Sequence, residues 1–245
     1  NQAYEAIGYK NAFQVKILPE DADPMDCRYN VIQWVHRSTR GWSYGSSVVD
    51  PRTGEIIKGH VSLGSLRIRQ DFLIAQALMT KPFTEDDNHD KMLEMALARI
   101  RQLSAHEVGH TIGFAHNFSA SANNRSSVMD YPHPLIKIKG NEINLSEAYA
   151  VGIGEWDKIS VAYSYSDLDI KNEKALLNHI LDNAYKNGLR FITDYDARAK
   201  SGAHVNAHLW DNNSNVSIGL DNIMEVRNKA ISDFSKYNIR SFETY

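Results

Sequence analysis

The chain has 245 residues, 42% of them hydrophobic and 23% charged, the composition of an ordinary folded domain rather than a disordered or fibrous chain. Its net charge of −3 offers no electrostatic footprint for nucleic acid or an anionic membrane. No apolar run reaches the ~20 residues of a membrane-spanning helix, and the single cysteine, Cys27, excludes an internal disulfide framework and a cysteine-based zinc site.

The chain opens at Asn1 rather than Met, which reads as a mature or trimmed product. Residues 2–13 place Tyr4, Ile7, Ala12 and Phe13 on one face of a short helix. Phe13 to Leu18 alternates and stops at Pro19, the pattern of a strand. Residues 29–36 are β-branched and aromatic, the composition of a buried strand. Residues 42–50 and 55–63 predict two more strands, joined as a hairpin through Asp50-Pro51-Arg52-Thr53-Gly54, where Pro presets φ and Gly admits a positive one. Residues 71–80 read as a short helix.

The longest periodic segment runs from about 88 to 112. Asp86, Asp87 and Asn88 supply acidic charge and a cap at its start. Met92, Leu93, Ala96, Leu97, Ile100 and Leu103 form its apolar stripe, and Gly113 is a left-handed stop. Beyond it, 119–127 reads as loop and 135–145 as a hairpin around Gly140-Asn141. Residues 155–163, 172–186 and 220–236 read as helices, and 201–217 as a polar loop. Strands gather before residue 64 and most helices after 88, which is an α+β arrangement.

Residues 106–117 read HEVGHTIGFAHN. His106 and His110 lie four apart on a predicted helix, one turn apart on one face, where both imidazoles can reach one cation. Glu107 adjoins the first of them and can reach a metal-bound water without itself binding the metal. Gly113 ends the helix, and the chain then returns His116 as a third nitrogen ligand. Three neutral imidazoles and one open position describe a catalytic site for a single Zn2+, since a closed structural site takes a fourth protein ligand. The bland alternative is a buried amphipathic helix with satisfied core histidines.

Ser127-Val128-Met129-Asp130-Tyr131-Pro132 follows shortly after His116. A lone Met is more often core, but a Met-turn after the long histidine motif resembles the metzincin zinc peptidases. Within that clan, HEVGHTIGFAHN, SVMDYP, WVHRSTRGWSYGSSVVDPRTGEI and GIGEWDKISVAYSY are most similar to a group of large bacterial zinc-dependent proteases, the Met-zincins. The resemblance spans roughly 1–165 and fades afterwards.

The resemblance implies an endopeptidase that hydrolyses peptide bonds. It makes His106, His110 and His116 the zinc ligands and Glu107 the general base and later proton donor. Met129 becomes a hydrophobic floor, with Gly113 as structural support. Tyr131 either binds zinc, hydrogen-bonds the tetrahedral intermediate or merely packs. The implied fold is a mixed twisted sheet with the active-site helix above and a mostly helical subdomain below the cleft, dividing one catalytic domain into 1–113 and 114–245. An edge strand near 43–50, through Tyr44, Gly45, Ser46 and Ser47, would pair with an extended peptide or protein substrate. Metzincins also carry a strand before the first helix, which this chain starts too late to contain. Either it is a fragment of a larger multidomain protein or the sheet is completed in another way. The resemblance further implies export to the periplasm, cell surface or medium.

Two other readings remain. One is a zinc-containing module that recognises peptide without cleaving it, against which the intact Glu107 weighs. The other is a zinc hydrolase of a non-peptide amide or ester. His204, His208 and Asp211 form a second, weaker metal-binding pattern in a polar loop. His60 and His133 read as structural or rim residues. His36, His89 and His179 show no partner pattern, and Cys27 lies in an acidic loop. Asn117 follows the third histidine with no chemistry attached to it.

Overall fold

The computed structural model describes residues 1–39, 41–83 and 89–240. It is α+β, as the order of its elements predicts. The N-terminal part carries α1 (Gln2–Glu5), β1 (Val31–Val35), β2 (Tyr44–Val49), β3 (Ile56–Gly64) and α2 (Leu66–Leu78). The long α3 (His89–Thr111) follows. Then come the small hairpin β4 (Lys137–Lys139) and β5 (Glu142–Asn144), and the helices α4 (Glu155–Tyr165), α5 (Glu173–Lys186), α6 (Asp194–Ala197) and α7 (Val216–Asp233).

The main sheet is three-stranded and mixed, in the order β1-β3-β2. β1 runs parallel to β3, and β2 runs antiparallel to it. The predicted hairpin over 42–63 is present. Its turn is closed by Gly54 N–H donating to the Asp50 carbonyl at 2.8 Å, and by the Asp50 carboxylate accepting from the Arg52 amide. β3 lies in the middle and is the most buried strand. Val61 and Leu63 pack on Leu103 of α3, with Ile100 and Val108 beside them. A second cluster gathers Ala75, Met79, Met92, Met95, Ile136, Tyr149 and Val226 from α2, α3, the hairpin region and α7.

Several expectations are corrected. The helix over 2–13 stops at Glu5, because Gly8 and Asn11 take positive φ. Residues 13–18 form no strand; Val15 and Ile17 are exposed, and alternation without a partner strand leaves the backbone groups to water. The strand within 29–36 exists but is not buried. Ile32 and Trp34 stand in register with Val61 and Leu63, yet they are exposed, because α3 lies against β2 and β3. α2 starts five residues earlier than the 71–80 reading. In α3, Leu93 and Leu97 are exposed rather than part of the buried stripe. The expected cap at Asp86, Asp87 and Asn88 lies outside the described residues. The last helix covers 216–233 rather than 220–236, and α6 was not expected at all.

Gly113 takes φ +95° directly after α3, as its place in the sequence requires. Among the described residues, no helix is long and apolar enough to cross a membrane.

Candidate metal centre

The last turns of α3 present His106 and His110 on one face, and the chain reverses at Gly113. Phe114 N–H donates to the Gly109 carbonyl and Asn117 N–H to the Met129 carbonyl, both at 3.0 Å. This return lays His116 against the other two. Ring centroids lie 4.8 Å apart for His106–His110 and His110–His116, and 5.3 Å for His106–His116. One ligand nitrogen from each of the three histidines falls within 4.8 Å of the others.

The hydrogen bonds fix which nitrogens these are. His106 Nδ1 donates to the Val128 carbonyl at 2.7 Å, His110 Nδ1 to the Phe114 carbonyl at 2.8 Å and His116 Nδ1 to Asp194 Oδ2 at 2.7 Å. With the Nδ1 positions occupied by acceptors, each neutral ring keeps its lone pair on Nε2. The Nε2 atoms of His106 and His110 are 3.2 Å apart, and His116 Nε2 is buried with no hydrogen-bond partner. Lone pairs crowded in this way repel unless a cation lies between them. Two nitrogens bound at ~2.0–2.1 Å to one tetrahedral zinc stand about 3.3 Å apart. Burial also disfavours the charged imidazoles: His106 is pushed down to about 3, and His110 is lowered too. The three side chains therefore fit a divalent metal.

Around them lies a cleft of about 400 Å³, lined by Trp42, Tyr44, Gly45, Arg99, Glu107 and Tyr131 among others. Glu107 is buried at 4% exposure, and desolvation raises its carboxyl to about 7. A hydrogen bond from the Gly45 amide and the charge of Arg99 oppose that rise. β2 crosses α3 very closely at this point: a Cβ on Gly45 would stand 2.0 Å from the Glu107 carbonyl oxygen. Of the expected edge-strand residues, Tyr44 and Gly45 line the cleft; Ser46 and Ser47 do not.

Met129 lies under the helix, with its sulfur 2.2 Å from where a Cβ on Gly109 would be. Gly109 thus makes room for it between His106 and His110. The turn holding Met129 is tied to α4 by Asp157. That carboxylate accepts from the Ser127 hydroxyl, the Val128 amide and the Gly154 amide at 2.6–2.9 Å. Gly154 meets the Ser126 carbonyl so closely that a Cβ would lie 1.9 Å from its oxygen. This close approach requires a glycine at position 154.

Tyr131 packs its ring 4.5 Å from His116 and 5.2 Å from Trp210, stacked on the latter. Its carbonyl accepts from the Trp210 amide at 2.8 Å, which holds Trp210 at an unusual φ of +62°.

Sequence reasoning did not name Asp194 and attached no role to Asn117. Asp194, at the start of α6, orients His116 from 78 positions away. Asn117, fully buried, ties that segment down. Its amide donates to the Arg190 carbonyl, and its Oδ1 accepts from the Ser119 amide, the Ser119 hydroxyl and the Ile192 amide. A capping-type signal in Thr193-Asp194 was available, but nothing local linked it to His116. Among the described residues, no further histidine joins a metal-binding group. His204 accepts from the Asn206 amide, Asp211 caps a turn through Asn212 and Asn213, and the two do not join His208 in a metal-binding group among the described residues. His133 lines a separate apolar groove between α2 and α7. Neither His133 nor His60 lines the cleft, and Cys27 is exposed and free.

No curated protein and no solved structure matches the chain significantly. A family profile does, over residues 88–245, well over half of the chain, starting just before α3 and including the three histidines, Met129 and Asp194. The histidine cluster therefore sits within sequence shared by a group, and the chain belongs to the Met-zincin family.

Proposed function

We propose that the chain is a zinc metalloendopeptidase. The observation that carries this reading is the convergence of three Nε2 atoms, each with its Nδ1 held by an acceptor, beside the buried carboxyl of Glu107. His106, His110 and His116 would hold one Zn2+. Zinc held there would supply Lewis acidity, lowering the pKa of water towards ~7 and polarising the scissile carbonyl. Glu107 accepts the proton of the attacking water and passes it to the leaving amine. The Gly45 amide keeps Glu107 in place. The Tyr131 hydroxyl is offered to the developing oxyanion. Met129 acts as the floor of a Met-turn, and Gly113 sets the reversal that delivers His116.

The substrate would lie as an extended chain along β2, whose outer edge is not paired within the described sheet. In this reading, residues 1–113 form the subdomain above the cleft and 114–245 the one below it. In this reading the protein acts outside the cytoplasm.

The test is elemental analysis of the purified protein beside cleavage of a denatured protein, with and without a chelator. About one zinc per chain with chelator-sensitive cleavage is expected. Glu107→Ala should keep its zinc and lose ~10²–10⁴-fold in rate. A wild-type rate in that variant overturns the base assignment. Zinc without cleavage of any protein overturns the peptidase reading.

A further inference from the structure

The cleft continues from the histidines back along α3. Arg99, Leu103, His106 and His110 all line it, at spacings that put them on one helical face. Arg67 and Gln70 of α2 also line it. Two guanidinium groups therefore share a cleft whose carboxylates are Glu107 and Asp130.

The two arginines are not equivalent. Arg67 is matched: its Nε and Nη2 donate to both oxygens of buried Asp71, at 2.7 and 3.0 Å. The Tyr149 hydroxyl donates to that same carboxylate at 2.7 Å. Arg99 is only 5% exposed and has no carboxylate in ion-pair contact among the described residues. Its Nη1 donates to the neutral amide oxygen of Gln102. Its guanidinium lies 5.5 Å from the centre of the Tyr149 ring. Its Nε is buried with no partner at all. Burial disfavours its charge and Arg67 lies near enough to repel it, while Tyr149 and the carboxylates of Asp71 and Glu107 favour it only through space. A buried cation whose contacts are one neutral acceptor and an orphaned donor, with carboxylates only at a distance, is incompletely compensated until an anion pairs with it directly.

We propose that this part of the cleft takes a carboxylate, the side chain of an Asp or Glu beside the scissile bond, paired with Arg99. Leu103 provides an apolar wall for the methylene carbons of such a side chain, and the charge-assisted pair supplies its specificity. The inference rests on the peptidase reading for the nature of the ligand, while the unmatched guanidinium is a property of the pocket itself.

Two measurements test it. The zinc-loaded protein is incubated with a proteome-derived peptide library, and the products are sequenced by mass spectrometry. Acidic residues should be enriched about tenfold or more at one position beside the cut, the scale of one good charge pair. Separately, a fluorescent peptide carrying Glu at that position is compared with its Gln twin by anisotropy, using the Glu107→Gln protein so that nothing is turned over. The Glu peptide should bind about tenfold tighter, less so at high salt. Arg99→Met should erase both preferences, and Arg99→Lys should restore part of them. Zinc content and circular dichroism check that each variant is folded. If Arg99→Met does not fold, the wild-type enrichment and the salt-sensitive Glu/Gln ratio decide the matter.

Cleavage with no acidic enrichment, or a preference that survives Arg99→Met, overturns the proposal and leaves the peptidase reading intact. A Glu preference in binding that Arg99→Met removes, with no cleavage of any peptide, upholds the pocket and overturns the peptidase reading.

Discussion

Asn117 and Asp194 show how one residue can act on the site through another. His116 is held on one side by the Asp194 carboxylate, and the segment carrying Asp194 is held by Asn117 through its bonds to Arg190 and Ile192. Outer partners of this kind typically change metal affinity ~10–100-fold. Asp194→Ala should weaken zinc binding by about that factor, read by competition with a chromogenic chelator; unchanged affinity would show that His116 needs no orienting partner. Asn117→Ala strands the buried amide of Ser119 and the half-buried amide of Ile192 and should cost about 2 kcal/mol, read from the denaturant midpoint. The grouping of the three histidines was legible because it is written within a dozen residues, two of them at helical spacing. Asp194 was not, since a four-residue helix has no periodicity and its bond to His116 spans 78 positions.

At the level of elements, the decisive contact is the crossing of β2 over α3. Gly45 brings its strand so close that the Glu107 carbonyl leaves no room for a Cβ, and its amide holds the Glu107 carboxyl. Gly45→Ala should therefore lower stability by ~1–3 kcal/mol, as overpacking does, and shift Glu107 as well. Thermal melting together with the turnover rate reads both effects; an unchanged melt would mean that the two elements separate easily. The hairpin over 42–63 and the stop at Gly113 were legible because turn chemistry is local. The alternation over 13–18 misled, since it records a pattern but no partner strand. The exposure of Trp34 was equally hidden: no sequence rule says how far α3 reaches across the sheet.

Over the whole molecule, the three histidines join the end of α3 to the returning chain, and Asp194 draws α6 into the same knot. Metal that binds only this folded arrangement stabilises it by mass action. Zinc at a hundredfold above its Kd should add about 2.7 kcal/mol and raise the melting temperature by roughly 5–10 °C for a chain of this size. Identical melts with zinc and with chelator would mean that the histidines are not joined by metal. The α+β class was legible from the order of strands and helices, but the closure of the site by residues beyond 165 was not, because distant partners leave no periodic trace. The open edge of β2 has one more consequence, in solution rather than in the cleft. If its amides and carbonyls receive an extended peptide, as proposed, they can equally receive the same strand of a second molecule. Such pairing would cover the edge from both sides, so concentrated protein should become its own competitive inhibitor. Specific activity should then fall on concentration and recover on dilution.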